Sequence, residues 1–225
     1  MLKFSKKHNY QGALICLEGI DGAGKSTQIE LLDNWLKSKG IDVVSTSWNS
    51  SELISNTTKK AKKKDALSGR TFSLLHAVDF ADRLERVIKP ALKAGFVVLA
   101  DRYVYTAFAR DVAREVDSDW VRNMYGFAIK PDLTFYLDIT PHSSLERICS
   151  NRKPKFYEAG MDMKLSNNPY KSYILFQNRI VEQYKEMVDE FGLIQIDSED
   201  SIHVKQQYIR KKVEEVLKSR GIING

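Results

Sequence analysis

The chain has 225 residues, a length typical of one α/β domain, and its 43% hydrophobic residues suffice for a sizeable core. It contains no run approaching the roughly 18 apolar residues of a membrane span, and its basic N-terminus lacks the apolar segment of a secretory signal. The net charge of +6 would suit nucleic acid, but it would equally suit a protein that handles polyanionic nucleotides.

The remaining compositional features point to an ordinary intracellular domain. Cys16 and Cys149 belong to no metal or redox motif, so we expect a reducing, cytoplasmic setting. Residues 1–11 are predicted to form a solvated basic arm. The lysine-rich run 59–64 has no interleaved aromatic residues, which favours a solvated helix face over a nucleic-acid site. We therefore expect no nucleic acid and no membrane among the partners, and we treat residues 1–225 as one domain.

The first strand and the loop after it form the clearest pattern. GALICLE is a continuous apolar run, typical of a strand buried on both faces of a parallel sheet. It leads into EGIDGAGKST, residues 18–27, and a helix predicted over residues 25–39 with Gly40 as its stop. The loop matches G-x-x-x-x-G-K-[ST], whose backbone N–H groups surround the phosphates of a nucleoside triphosphate at a helix N-terminus. The motif places Lys25 on the β- and γ-phosphates and Ser26 on Mg²⁺.

The rest of the chain alternates helices with strands. Further strands are predicted at IDVVSTS, FVVLAD, LTFYLD and GLIQID. Helices are predicted over about 70–93, 104–112, 118–129, after Thr140-Pro141, over 173–191 and at the C-terminus. The apolar stripe expected to face the core from the helix over 70–93 comprises Leu74, Leu75, Val78, Leu84, Val87, Ile88 and Leu92. This alternation predicts an α/β fold with a five-stranded parallel sheet and helices on both faces.

Three chemically informative positions follow strands of this sheet. Ligands bind at the carboxyl ends of parallel strands, where the glycine loop, Asp101-Arg102 and Asp138 all lie. A carboxylate at Asp101 can hold the magnesium shell or orient an attacking oxygen, although a helix-capping role is an alternative. Arg102 beside it suits an acceptor phosphate gripped by a guanidinium, which a water acceptor would not need. For Asp138 we favour a structural role.

A basic segment between two helices is the next candidate. Residues 147–162 carry Arg147, Arg152, Lys153 and Lys155 ahead of a stretch with proline and glycine. A lid over residues 151–166, closing on a transferring phosphoryl group, would have this composition. A merely basic surface loop would look similar.

Taken together, these motifs resemble the thymidylate kinase family of P-loop nucleoside monophosphate kinases. The resemblance extends from residue 12 onward and rests on EGIDGAGKST, VIKPALKAGFVVLADRY, TFYLDITP and the C-terminal helices. It implies transfer of the ATP γ-phosphoryl group to dTMP, a P-loop NTPase fold with a lid, and a homodimer. By resemblance Asp21 contacts the acceptor's sugar hydroxyl, Asp101 is the catalytic carboxylate and Arg102 holds the acceptor phosphate. Because Gly22 stands where some members carry an arginine, the lid cations, Arg152 first, would supply that charge.

The predicted site residues fall into four groups. The catalytic residues are Lys25, Asp101, Arg102 and Arg152. The ATP-binding residues are Gly19, Ile20, Asp21, Gly22, Ala23, Gly24, Lys25, Ser26, Thr27 and Arg147. The substrate-binding residues are Asp21, Trp48, Arg70, His76, Phe80, Arg102 and Arg110. The metal ligands are Ser26 and Asp101, and the cofactors are ATP and Mg²⁺.

The predicted acceptor-base pocket departs from the family pattern. The chain has STSWNSS where members commonly carry R-E-P-G-G. The expected base-contacting arginine aligns with Phe80, and a Tyr-Gln pair aligns with Arg110-Asp111. Trp48, His76 and Phe80 could form a different stacking surface, although core packing explains Phe80 nearly as well. We therefore expect relaxed or shifted selectivity among pyrimidine monophosphates.

Two further functions remain open at this point. The chain could be another phosphotransferase on the same scaffold, with a different nucleotide or nucleoside as acceptor, or with polyphosphate as in kinases that share a D-R motif. It could instead be a nucleotide-binding switch or an idle module. A regulatory GTPase needs an N/T-K-x-D motif, which is missing from the sequence. An idle module is disfavoured because Lys25, Ser26 and Asp101 are all present.

Overall fold

The protein folds around a five-stranded parallel sheet. A computed structural model describes residues 7–63 and 67–224. The strands run in the order β2-β3-β1-β4-β5, and every neighbouring pair is parallel. They are β1 Ala13–Glu18, β2 Val43–Ser47, β3 Val97–Asp101, β4 Leu133–Asp138 and β5 Ile194–Asp197. The prediction of this α/β fold is confirmed, and the strand bounds differ from the predicted ones by at most two residues.

Helices connect the strands and cover the sheet. They are α1 Lys25–Ser38, α2 Ser55–Lys63, α3 Gly69–Arg83, α4 Lys89–Lys93, α5 Val104–Val112, α6 Ser118–Met124, α7 Pro141–Cys149, α8 Pro169–Phe191 and α9 Ile202–Ser219. A π-helical turn, Leu84–Ile88, joins α3 to α4. The connection from β1 to β2 runs towards one edge of the sheet, and the connection from β3 to β4 runs towards the other edge. Because both crossovers are right-handed, their helices lie on opposite faces of the sheet. The α1–α9 pair and the α3–α5–α8 group are the two resulting layers.

Helix α3 buries a different face from the one predicted. Leu74 and Val78 are 48% and 42% exposed, so the expected apolar stripe is wrong at these positions. The buried face instead carries the polar residues His76, Asp79 and Arg83. Arg83 Nε donates to Asp79 at 3.0 Å, and such pairing makes burial of charged groups tolerable. Hydrophobic periodicity alone therefore predicted the wrong buried face for α3. The helix predicted over 118–129 also ends early, at Met124.

The described part of the N-terminal arm is anchored to the domain through His8. Lys7 forms a bridge to Lys130, and the buried His8 places Nε2 3.1 Å from Asp132 Oδ2. Asp132 also accepts hydrogen bonds from Leu14 N at 2.8 Å and from Arg220 Nε at 2.9 Å. The prediction of a solvated arm is thus wrong at His8, while Lys7, Asn9 and Gln11 are exposed and residues 1–6 lie outside the described residues.

Two further expectations concern charge and hydrophobicity at the surface. In the lysine-rich run 59–64, Lys59 and Lys60 lie exposed on α2, as predicted, and Lys64 lies outside the described residues. Among residues 7–63 and 67–224, no helix combines the length and apolar character needed to cross a bilayer.

Candidate active site

Two glycines shape the loop between β1 and α1. Gly19 and Gly22 have φ angles of 135° and 77°, which side-chain-bearing residues rarely adopt. A Cβ atom on Gly19 would lie 2.6 Å from Leu137 O, and one on Gly22 would lie 2.9 Å from Ser144 O. Helix α1 begins directly after the loop at Lys25. The glycines therefore let the loop pass close to β4 and α7 while presenting a helix N-terminus, which is a favourable place for phosphate.

The side chain of Lys25 lies within this loop. It is 6% exposed, and its Nζ donates to Ile20 O at 2.7 Å. Burial, with a smaller contribution from the charge of nearby Arg102, lowers the pKa of Lys25 to about 8 despite the opposing effects of Asp101 and Asp21. Anionic phosphates next to this amine would favour its charged form. The position therefore suits a lysine that gains its full charge when phosphate binds.

Ser26 and Asp101 meet across the carboxyl ends of β1 and β3. Ser26 Oγ donates to Asp101 Oδ2 at 3.1 Å, and Asp101 Oδ1 is buried without a hydrogen-bond partner in the described part of the chain. A hydroxyl beside a carboxylate fits Mg²⁺ in nucleotide sites, where phosphates and waters complete the shell. No group of three or more His, Cys, Asp or Glu side chains among residues 7–63 and 67–224 forms a separate metal cage.

Asp21 holds two arginines on one carboxylate. Arg102 Nη2 donates to Asp21 Oδ1 at 2.6 Å, and Arg110 Nη2 donates to Oδ2. Burial alone would raise the pKa of Asp21, but the charges of Arg110 and Arg102 outweigh it and hold that pKa well below its usual range. Asp21 is therefore ionised at neutral pH, and it keeps two guanidinium groups side by side next to the glycine loop.

Glu18 organises the turn that carries Arg102. It is fully buried; its Oε1 accepts from Tyr103 N at 2.7 Å, and its Oε2 accepts from Thr106 Oγ1 and Tyr184 Oη, each at 2.7 Å. Burial raises the pKa of Glu18, and these hydrogen bonds oppose the shift. Arg102 itself has a φ of 73°. The sequence analysis missed Glu18, although a charged residue ending an otherwise apolar strand was the available signal.

A cavity of about 430 Å³ opens beside Asp21. Arg102 and Arg110 line it together with Asp21, and Trp48, Phe72 and His76 form an aromatic wall. Residues 155–158 of the predicted lid also contribute to the lining. The cavity thus combines guanidinium groups with aromatic surfaces, which are the groups that a sugar phosphate with a planar base would contact.

The structure brings most, but not all, of the predicted acceptor-site residues to this cavity. Asp21, Trp48, His76, Arg102 and Arg110 line it. So do residues that the sequence analysis did not single out, among them Asn49, Phe72, Arg114 and Tyr157. Arg70 does not: it lies exposed at the start of α3, over the Trp120 ring at 5.8 Å.

Phe80 also stays away from the cavity. It is fully buried, and its ring packs edge-on against Tyr103 and Tyr125, with centroids 4.9 and 5.4 Å away. Its ring lies 6.5 Å from that of Trp48. The prediction that Trp48, His76 and Phe80 form one stacking surface is therefore wrong for Phe80, which is a core residue behind Trp48.

The predicted lid, residues 151–166, is docked against α8 and the cavity. Gln177 Nε2 donates to Glu158 O at 2.7 Å, and a Cβ atom on Gly160 would collide with Phe176 at 2.4 Å. Tyr157 stacks on Phe72 with centroids 5.3 Å apart. Arg152 is paired with Glu158 through hydrogen bonds of 2.7 and 3.1 Å. Its catalytic role stays a prediction.

Arg114 ties this segment to the cavity wall. Its guanidinium carbon lies 4.8 Å from the ring centroid of Phe72 and 4.5 Å from that of Phe176. Nε donates to Asp162 Oδ2 at 2.7 Å, and Nη2 donates to Tyr157 O at 2.9 Å. One buried cation in the turn after α5 therefore joins that turn, α8 and the segment over the cavity.

A second cavity, of about 350 Å³, lies on the other side of the glycine loop. Gly22, Gly24 and Thr27 line it, together with Arg147 and Ile202. Arg147 Nη2 donates to Ser198 O at 3.0 Å, which fixes the arginine beside the loop that precedes α9. The predicted donor residues are therefore contiguous with a space that can hold a nucleotide base. Ile20 and Ala23 are buried in the loop and support it from beneath.

Comparison with known proteins places the whole chain in a family. The family model described as thymidylate kinase matches residues 17–209. The protein named "Probable thymidylate kinase 2" of Saccharolobus solfataricus is 50% identical over 209 residues, which cover 92% of this chain and 98% of the relative. "Thymidylate kinase" of Halothermothrix orenii is 32% identical over 213 residues, 92% and 99% of the two chains. "Probable thymidylate kinase" of Thermococcus kodakarensis is 40% identical over 147 residues, 61% and 72% of the two chains. The chain belongs to the thymidylate kinase family.

Proposed function

We propose that this protein transfers the γ-phosphoryl group of ATP to dTMP, giving dTDP and ADP. The observation that carries the proposal is the Asp21–Arg102–Arg110 cluster, which lies between the glycine loop and the aromatic cavity. Two guanidinium groups at that junction can receive the acceptor phosphate next to the donor phosphates. The names of the relatives, all thymidylate kinases, support dTMP as the acceptor.

Each half of the site has a distinct task in this proposal. The glycine loop and Lys25 hold the ATP phosphates, and the cavity beside Arg147 takes the adenosine. Arg102 and Arg110 hold the acceptor phosphate, and Asp21 accepts from the sugar hydroxyl. Phosphoryl transfer depends mainly on positioning and charge neutralisation, so fixed cations near the transferred group lower the barrier.

Mg²⁺ fits the Ser26–Asp101 pair and would neutralise charge on the β- and γ-phosphates when bound. Asp101 would also orient the attacking phosphate oxygen. Arg152 would leave Glu158 and meet the transferred phosphoryl group, since no arginine stands within residues 19–27 of the glycine loop.

The test is an ADP-release assay with ATP and Mg²⁺ and a panel of dTMP, dUMP, UMP, CMP, AMP and GMP. We expect turnover with dTMP and little without an acceptor. Arg102→Ala should raise KM for every acceptor alike, because the lost contact is to the shared phosphate. Failure to phosphorylate any of the panel, by protein that binds ATP, would contradict the proposal and favour a nucleoside or polyphosphate substrate.

We also propose that the protein is a homodimer, as the family resemblance implies. The exposed Leu74 and Val78 lie four residues apart on α3, so they share one face of the helix. A second copy covering this face would remove apolar surface from water. Light scattering should give twice the mass of the chain, and Val78→Glu should shift the protein towards monomer. A monomeric parent would contradict the proposal.

A further inference from the structure

The loop between β5 and α9, residues 198–201, borders the second cavity beside the glycine loop. Asp200 and Ser201 of this β5–α9 loop line the cavity, and so do Gly22 and Gly24 of the glycine loop. In the proposed function this cavity takes the adenosine of ATP. The position of the β5–α9 loop relative to the glycine loop therefore determines how well the donor nucleotide fits.

Ser198 joins the β5–α9 loop to its surroundings. It is fully buried; its backbone N donates to Asp138 O at 2.8 Å, and its Oγ donates to Ala23 O at 3.2 Å. Asp138 ends β4, and Ala23 belongs to the glycine loop. Leaving buried polar groups unpaired is unfavourable, so these contacts resist movement of the loop. Ser198 therefore holds the β5–α9 loop at a defined distance from the glycine loop.

Lys205, on α9, folds back over the β5–α9 loop. Its Nζ donates to Ser198 O at 2.7 Å and to Asp200 O at 2.5 Å. The residue is 5% exposed, and it contributes to the lining of the second cavity. One buried ammonium group thus bridges two carbonyl oxygens of the loop, and both of these partners are backbone atoms.

The position of this charge is unfavourable for α9 itself. The helix begins at Ile202, and its N-terminus carries partial positive charge that disfavours a nearby cation. Burial of the ammonium group adds a further cost. The helix start is already capped, because Ser201 Oγ accepts from Val204 N at 3.3 Å. The contacts of Lys205 therefore stabilise the loop rather than the start of the helix.

Arg147 is attached to the same loop. Its Nη2 donates to Ser198 O at 3.0 Å and to Glu199 Oε2 at 3.1 Å. The carbonyl oxygen of Ser198 therefore accepts from Arg147 and Lys205 together. The side chain of Arg147 is 37% exposed, whereas Lys205 is buried. A displacement of the loop would thus move both Ser198 and Arg147 relative to the glycine loop.

We propose that Lys205 is a positioning residue for the donor nucleotide, because it holds the β5–α9 loop, and with it Arg147, against the glycine loop. This proposal rests on the proposed function and extends its donor half to a residue of α9. Lys205 acts through the loop rather than on the transferred group. Its loss should weaken binding of the donor nucleotide and leave the acceptor cavity, to which α9 contributes no lining residue, unchanged.

Calorimetry with ADP and with dTMP measures the two halves separately and without turnover. The variant is Lys205→Met, which keeps the apolar length of the side chain and removes the ammonium group. We expect the Kd for ADP to rise about tenfold, because two hydrogen bonds from a charged donor are lost. The Kd for dTMP should stay within about twofold. In steady-state kinetics, KM for ATP should rise by a similar factor while kcat stays within about twofold.

Lys211→Met is the matched control, since Lys211 is exposed on the same helix. It should keep the parental Kd for both ligands. A role of Lys205 in stability alone would leave the Kd for ADP at the parental value in folded protein, and a general distortion would weaken ADP and dTMP alike. Either result with Lys205→Met would overturn the proposal.

Ser198→Ala covers the case in which Lys205→Met fails to fold. It removes only the hydroxyl contact between the β5–α9 loop and Ala23 O. We expect the Kd for ADP to rise about threefold or more and the Kd for dTMP to stay at the parental value. An unchanged Kd for ADP would overturn the proposal. A parent that binds ADP but phosphorylates no acceptor would contradict the proposed function instead, and the binding results would stand.

Discussion

The donor and acceptor halves of the site neutralise their charges in different ways. In the donor half, the glycine loop runs directly into α1, and the buried amine of Lys25 contacts a carbonyl oxygen rather than an anion. In the acceptor half, Asp21 neutralises Arg102 and Arg110 before any substrate is present. The donor half is thus incomplete without phosphate, whereas the acceptor half is a preassembled ion-pair cluster.

Phosphate binding should therefore differ in energy between the two halves. Phosphates that enter the donor half stabilise a charge already strained by burial, as the lowered pKa of Lys25 indicates. In the proposed function, an acceptor phosphate would instead compete with Asp21 for the two arginines, so part of its interaction energy would be offset. Changes in the donor half should therefore reduce turnover most, and changes in the acceptor half should act mainly on KM.

The largest expected effect is that of Lys25→Ala in the donor half. Turnover should fall about 100- to 1,000-fold, because one preorganised charge at the transferred group is worth about 3–4 kcal/mol. Steady-state kinetics with saturating ATP and dTMP measures it. Lys37→Ala, at an exposed lysine on the same helix, should behave like the parent. Parental turnover in Lys25→Ala would remove the glycine loop from the mechanism.

Glu18→Gln tests the connection between the two halves. In the parent, Glu18 accepts hydrogen bonds from Tyr103 N and from the Thr106 and Tyr184 hydroxyls. The glutamine amide has the same shape, but its NH₂ group would face at least one of these donors. A mispaired buried group costs about 1–3 kcal/mol, so kcat/KM for dTMP should fall about tenfold to 100-fold. Binding of ATP should be preserved. If kcat/KM is unchanged in a folded variant, Glu18 does not position Arg102.

Arg152→Ala asks whether the segment over the cavity takes part in catalysis. We expect kcat to fall about tenfold or more while ATP binding weakens little, since the contact would form mainly in the transition state. Lys153→Ala is the neighbouring control. Unchanged kcat for single and combined substitutions at Arg147, Arg152, Lys153 and Lys155 would exclude a catalytic lid.

Arg110→Ala is the matching change in the acceptor half. KM for dTMP should rise about tenfold with a smaller effect on kcat, because one of two guanidinium groups is lost. Arg110→Lys should recover only part of the loss, since an ammonium lacks the planar fork. Equal increases in the KM of ATP and dTMP would show that Arg110 supports the site as a whole.

A change remote from both halves should affect stability alone. In Asp132→Asn the hydrogen bonds from His8 and Arg220 are weakened, at a cost of about 1–3 kcal/mol at pH 7. Burial would raise the pKa of Asp132, but hydrogen bonds from His8, Leu14 and Arg220 lower it below its unfolded value. The stabilisation is therefore present above the unfolded pKa of about 3.9 and is lost as pH falls through the native pKa.

Denaturant unfolding of the parent and Asp132→Asn across pH 3 to 7 measures this difference. The two unfolding free energies should converge towards the acidic end, and kcat/KM should be the same at neutral pH. A difference that grows as pH falls would contradict the assignment of the charge to Asp132.

The donor half could be predicted from the sequence because its geometry is local. The spacing of Gly19, Gly24, Lys25 and Ser26 dictates both the loop and the helix start, and the apolar run before it dictates a buried strand. Asp101 and Arg102 were also found, since parallel strands end at one edge of the sheet. These inferences needed only the pattern of neighbouring residues.

The acceptor half could not be predicted in the same way because distant segments build it. Arg70 and Phe80 were chosen by their place in the chain, but the orientation of α3 turns Phe80 into the core and leaves Arg70 outside. The buried face of α3 carries polar groups, Asp79 paired with Arg83 and His76 3.6 Å from Asp111, which hydrophobic periodicity does not detect. Phe72 and Tyr157 meet only because the segment after α7 folds back over α3.

Phosphorus-31 NMR of a mixture of the protein, ATP, Mg²⁺ and dTMP tests the central claim most directly, because it separates transfer from hydrolysis. The account predicts that the dTMP resonance is replaced by the two resonances of dTDP, in step with the conversion of ATP to ADP. Consumption of ATP with release of inorganic phosphate and unchanged dTMP would contradict it.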